Sequence, residues 1–141
     1  MAILPGGPPP TGSANAFTGT GALIEYMGNG YWAGWSGSVN ATQGTDGTLF
    51  EFGSPQISLD TILCIMIDKT GLGAGQEWGW NMEFSDVTVA NVTTARSADM
   101  GNVDLDPIYF IIPARTTVKI TAYTDDSSNI PFSAFIRAHE I

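Results

Sequence analysis

Glu77-Trp78-Gly79-Trp80-Asn81-Met82-Glu83-Phe84 alternates large apolar side chains with polar or small ones over four periods. A period of two belongs to a β-strand with one buried face, so Trp78, Trp80, Met82 and Phe84 are expected on a core side. Glu77, Gly79, Asn81 and Glu83 then face away. The pattern recurs in Val118, Ile120 and Ala122 against Thr117, Lys119, Thr121 and Tyr123. It recurs again in Phe132, Ala134, Ile136 and Ala138 against Ser133, Phe135, Arg137 and His139.

Working outward, strands are expected at 23–27, 31–35, 48–52, 61–69, 77–84, 86–93, 107–112, 116–123 and 132–139, each rich in β-branched or aromatic residues. Between them lie turn formers such as Gly28-Asn29-Gly30, Gly44-Thr45-Asp46-Gly47 and Asp125-Asp126-Ser127-Ser128-Asn129. No window sustains a 3.6-residue apolar period, which limits helix to a short turn within 58–62 or 95–100. Eight or nine strands without βαβ alternation predict an all-β chain. The expected architecture is an antiparallel β-sandwich, and the count favours a jelly roll over a seven-stranded immunoglobulin type. The sandwich is assigned to residues 22–141 and a Pro/Gly-rich extended N-terminal arm to residues 1–21.

Ile62 to Ile67 and Ile108 to Ile112 are continuously apolar, so each is expected to be covered on both faces, the outer one by another subunit. Cys64, the single cysteine, lies within the first run and reads as a buried small hydrophobe. In the arm, Pro5, Pro8, Pro9 and Pro10 impose extended conformations, and Ile3, Leu4 and Phe17 are its apolar anchors for a partner.

The 141 residues suit one domain. They hold 5 basic and 14 acidic side chains, for a net charge of −9, and charged residues make up only 13% of the chain. Soluble domains carry about 25%. A folded monomer of this size exposes roughly 7,000 Å², so the deficit points to a surface partly covered by something else. Lys69, Arg96, Arg115, Lys119 and Arg137 are scattered and form no patch for phosphates, which argues against nucleic acid and anionic membranes. No apolar run approaches the ~20 residues of a membrane span. The N-terminus has neither basic nor apolar signal regions, which points to synthesis in the cytosol.

Chemistry is sparse. One His (His139) and one Cys leave no nucleophile and base pair and too few ligands for zinc, so no catalytic residue, metal or cofactor is assigned. Glu77 and Glu83 share a face but lie about 20 Å apart at ~3.3 Å per residue, too far for a glycosidase pair. A hydrolase would need a carboxylate pair drawn from different strands. Asp104-Leu105-Asp106 and Asp125-Asp126-Ser127-Ser128-Asn129 offer loop oxygens for calcium without the EF-hand spacing, and read as solvated turn acids. Trp78 and Trp80 read as core. Trp32 and Trp35, three apart in one strand, must face oppositely, so one of them is exposed or at an interface.

The arm Leu4-Pro5-Gly6-Gly7-Pro8-Pro9-Pro10 and the strand-turn-strand running from Pro107 through Pro113-Ala114-Arg115 to Ile120 resemble the small decoration, or cement, proteins of tailed bacteriophage capsids. In such turns Gly is usual where Arg115 stands, so a departure in turn geometry is expected. The resemblance implies a structural virion protein, jelly-roll-like and without chemistry of its own. It would bind the outside of a phage capsid as a homotrimer and stabilise the major capsid protein lattice. Its place would be the capsid exterior, after synthesis in the host cytoplasm. Ile3, Leu4, Pro8 and Phe17 would be the capsid-contact arm, and Ile108, Phe110 and Ile112 would serve core and subunit interface. The alternative is a receptor- or carbohydrate-binding module, fibre-head-like, with Tyr31, Trp32 and Trp35 as its platform.

Overall fold

The computed structural model describes residues 23–68, 70–95, 103–104 and 107–141. Its strands are β1 (Leu23–Gly28), β2 (Tyr31–Trp35), β3 (Val39–Ala41), β4 (Gly47–Gly53), β5 (Leu59–Ile67), β6 (Glu77–Phe84), β7 (Val87–Ala95), β8 (Val103–Asp104), β9 (Ile108–Ile112), β10 (Thr117–Thr124) and β11 (Ile130–Glu140). Among the described residues there is no helix. The short helical turn expected within 58–62 is instead the start of β5, with Leu59 and Thr61 turned inward and Asp60 outward. The other expected turn, 95–100, falls outside the described residues beyond Ala95.

Two antiparallel sheets face each other. One runs β1-β2-β11-β5 and ends on β8 and β9, and the other runs β4-β10-β6-β7. The pairs nest: β6 with β7 is innermost, followed by β5 with β9, β4 with β10, and β2 with β11 outermost. A nested antiparallel ribbon wrapped into two sheets is a jelly roll. β2 and β3 pair successive stretches of β11, so they are two halves of one strand position, and β8 and β9 stand in the same relation beside β5. β1 is an additional edge strand.

The break between β2 and β3 has a definite chemistry. Ser36 N–H donates to the Ala134 carbonyl at 3.0 Å, Ser36 Oγ accepts the Ala134 N–H at 2.9 Å, and the hydroxyl donates to Gly37 O at 2.8 Å. A side-chain oxygen thus stands in for a missing ladder acceptor where the backbone leaves the sheet. Ser54 repeats the device after β4. Its N–H donates to Thr116 O at 2.8 Å, its Oγ accepts Thr116 N–H at 2.7 Å, and the hydroxyl donates to Pro113 O at 2.7 Å.

The core lies between the sheets. Trp32, Leu49, Phe50, Phe52, Leu59, Leu63, Ile65, Trp78, Ile112 and Phe132 are essentially buried, joined by the alternating residues of β6, β10 and β11. Trp78, Trp80 and Met82 occupy the core side expected from their period. Phe84 is partly buried against the same core and Phe110, with ring centroids 6.2 Å apart. Arg115 keeps the turn by taking φ 56°, the left-handed conformation usual for Gly, while its N–H donates to Pro55 O at 2.9 Å.

Candidate functional site: the outer face of the β1-β2-β11-β5-β9 sheet

The outward faces of the two sheets differ in kind. On the β4-β10-β6-β7 sheet, register places Lys119 between Glu51 and Glu83, and Thr121 between Thr48 and Asn81. Asn81 in turn lies opposite Asn91, whose Nδ2 donates to its Oδ1 at 3.3 Å. Tyr123 stands beside Gly79 and donates its hydroxyl to Val92 O at 3.2 Å. Across β4, β10 and β6 this face is polar and charged, and the exposed valines of this sheet, Val87, Val89 and Val92, are confined to its edge strand β7. Glu51 and Glu83 are two strand spacings apart, about 10 Å, with Lys119 between them.

On the other sheet the outward rows are largely apolar. One row aligns Trp35, Phe135 and Cys64, the next Ala33, Arg137, Ile62 and Tyr109, and the third Tyr31, His139, Asp60 and Ile111. Phe135, Tyr109, Ile111 and Tyr31 are exposed, and Ile62, Cys64 and Met66 are half-buried. The small side chain of Ala33 and the bare backbone of Gly34 leave a shallow hollow of about 390 Å³, bordered by Trp35, Ile62, Cys64, Phe135 and Arg137. At its far end the Tyr31 and His139 rings stack with centroids 4.1 Å apart.

Several expectations change in this setting. Ile112 is fully buried in the protein's own core, and Ile108 and Phe110 pack against it. Because β9 alternates, its outward side chains are Tyr109 and Ile111. Trp32 is buried against Tyr26, with ring centroids 4.6 Å apart, so of the three platform residues only Tyr31 and Trp35 face out. Cys64 is not in the core: it points outward and is half-buried. The apolar runs of β5 and β9 are covered on one face only. Ile3, Leu4, Pro8 and Phe17 lie outside the described residues.

The period of β11 puts Phe135 on the side of Ser133, Arg137 and His139, where it is the one large apolar residue, and that is the signal that it belongs to a surface feature.

The loop acids act as turn acceptors. Asp125 Oδ1 accepts Glu77 N–H at 2.7 Å, and Asp126 accepts Gly73 N–H and Ser128 N–H, each at 2.7 Å. These bonds, Gly73's first, hold the Asp126 carboxyl below its ordinary pKa. Asp106 of the other acidic loop lies outside the described residues. Among the described residues no group of three or more His, Cys, Asp and Glu could hold a metal ion, and no helix is long and apolar enough to cross a membrane.

No protein-family model and no curated protein sequence matches the chain. Among solved structures it is similar to the VP2 subviral particle of infectious bursal disease virus, at 16% identity and a TM-score of 0.45, over 99% of this chain and 37% of that one. It is also similar to the structure of the Gx strain of infectious bursal disease virus, at 17% identity and a TM-score of 0.43, over 99% of this chain and 38% of that one. The chain therefore spans less than two fifths of the length of these solved chains.

Proposed function

We propose that this jelly roll is a structural protein of a virus particle. It binds the outside of a phage capsid as an oligomer and reinforces the major capsid protein lattice. The observation that carries this reading is the contrast between its faces, one polar and one an aromatic and aliphatic sheet surface on which, among the described residues, no group of three or more metal-binding side chains gathers. A protein that works by contact needs such a surface; an enzyme needs convergent titratable groups in a cleft. Jelly rolls serve in capsid proteins and in lectins alike, so the fold enters only as analogy. The net charge of −9 supports an exterior position, since packaged DNA repels it. Ile3, Leu4, Pro8 and Phe17 are assigned to the capsid contact, and several weak arm contacts per oligomer add up through multivalency.

The test is co-sedimentation of the purified chain with particles of the phage that encodes it, stripped of their own copy. Binding is expected, and its loss in a folded Leu4→Asp, Phe17→Asp variant would assign it to the arm. Absence of binding to such particles refutes the reading. The carbohydrate-binding alternative is favoured by one observation, the hollow beside Trp35 with Arg137 on its rim. Glycan-array binding that is lost in Trp35→Ala with the fold intact would select it.

A further inference from the structure

We infer that the outer face of the β1-β2-β11-β5-β9 sheet is where a second copy of this chain docks, face to face across a two-fold axis. The inference deepens the oligomeric part of the reading above, but its test needs no capsid, so the two can fail separately.

Tyr109 is 71% exposed, Ile111 57%, Phe135 54% and Tyr31 45%. At about 200 Å² per large side chain these four alone present roughly 450 Å² of largely apolar surface. A standard interface buries ~800 Å² per partner, of which about 56–65% is apolar. The patch therefore matches the apolar part of one such interface.

The chain carries a net charge of −9, so two copies repel unless they meet where charge is balanced. In the rows of this face Arg137 lies with Glu25 and Ala33, and Asp60 lies opposite His139, so counted without His139 these rows carry a formal charge of only −1.

Packed against the opposite sheet face, the patch would cover Glu51, Lys119 and Glu83, burying charges against apolar groups at high cost. The surface on a second copy that complements an apolar face is the same face, which makes the contact isologous and two-fold rather than three-fold. Sheets stacked ~10 Å apart would then seat each Phe135 toward the partner's hollow over Ala33 and Gly34.

Cys64 provides a built-in reporter, because it is the single thiol of the chain and lies in the row of Trp35 and Phe135. The full chain would be examined by light scattering and sedimentation between 1 and 100 µM, with maleimide labelling of Cys64 alongside. The expected result is twice the 14.9 kDa chain mass. Labelling at high concentration should be slower by roughly tenfold than on dilution, as only the monomer fraction reacts, for a micromolar dissociation constant. Phe135→Glu should weaken pairing at least about thirtyfold, the effect of removing a central aromatic anchor, and should restore fast labelling. If Phe135→Glu does not fold, Tyr109→Ser on β9 tests the same face, and Lys119→Glu on the opposite face should leave pairing intact. A freely labelled monomer at 100 µM overturns the inference, as does a trimeric mass. So does a monomer with slow labelling, which would assign the cover to the chain's own residues 1–22.

Discussion

Replacing Ser36 with Ala removes one oxygen from the point where β2 gives way to β3. Ser36 is buried, and its Oγ is the acceptor for the N–H of Ala134, which is itself 1% exposed in the central strand β11. Leaving a buried amide without an acceptor costs about 1–3 kcal/mol, and the lost bond to Gly37 O adds a few tenths because Gly37 is exposed and can turn to water. A loss of about 2 kcal/mol is therefore expected. With an unfolding entropy near 0.3 kcal/mol/K for a chain of this length, that lowers Tm by about 7 °C. Differential scanning calorimetry measures the shift, and amide hydrogen exchange at Ala134 should accelerate in the variant while distant core amides change only with global stability. Ser36→Thr, which keeps the hydroxyl, should recover most of the loss. Ser38→Ala, at an exposed position two residues on, should stay within about 2 °C. A Tm for Ser36→Ala within that same margin, with Ala134 exchange unchanged, would refute the idea that a hydroxyl completes the ladder here.

Three further outcomes follow from the geometry. A Cβ at Gly79 would overlap the Val92 carbonyl oxygen and come within 2.8 Å of the Tyr123 hydroxyl, so Gly79→Ala should cost about 3 kcal/mol and roughly 10 °C in Tm by calorimetry, whereas Tyr123→Phe, losing one hydrogen bond, should cost about 1 kcal/mol. Arg115 holds φ 56°, and Arg115→Gly relieves that strain while keeping the N–H bond to Pro55 O, so a gain of about 1 kcal/mol, or 3 °C, is expected in thermal melts. The Asp126 carboxyl has a lowered pKa in the folded protein, so its stabilising contribution is present above the unfolded value near 3.9 and disappears as pH falls through the folded one; Asp126→Asn should flatten the acid limb of Tm against pH below about 4 and leave its shape near neutrality unchanged.

How far the chain can be read without its fold depends on whether a signal is local. Trp78, Trp80 and Met82 declare a buried face by spacing alone, and so do Val118, Ile120 and Ala122. β3 escapes because Val39-Asn40-Ala41 is only three residues long and becomes a strand by pairing with Ile130–Phe132, some ninety residues away. The helical turn expected over Leu59 and Asp60 misleads for a similar reason: their strand character comes from β9 and β11 on either side. The apolar run of β9 was legible as two-faced, but not which side the chain itself would cover. That side is fixed by the pairing of Thr61 with Phe110 and Leu59 with Ile112, which turns Phe110 and Ile112 toward the core and leaves Tyr109 and Ile111 outside. The same long-range choice moved Cys64 from an expected core position to the outer face.

The sparse charge of the chain is distributed in a way that bears on orientation. Lys119 lies between Glu51 and Glu83 on one sheet, while Arg137 sits among Ala33, Ile62 and Phe135 on the other. With the apolar face turned toward another copy, both polar faces of the pair point outward, and the acidic excess stays in water where its hydration is retained. The edge strand β1, which begins at Leu23, belongs to the apolar sheet and lies at the rim of the proposed contact. A pair that carries the proposed capsid contact twice would hold two points on a lattice at once. Linked contacts of that kind bind more tightly than either alone when the arms span the lattice spacing. Weakening the pairing through Phe135 should therefore lower avidity in the proposed capsid binding, which couples the self-association of the chain to the function proposed for it.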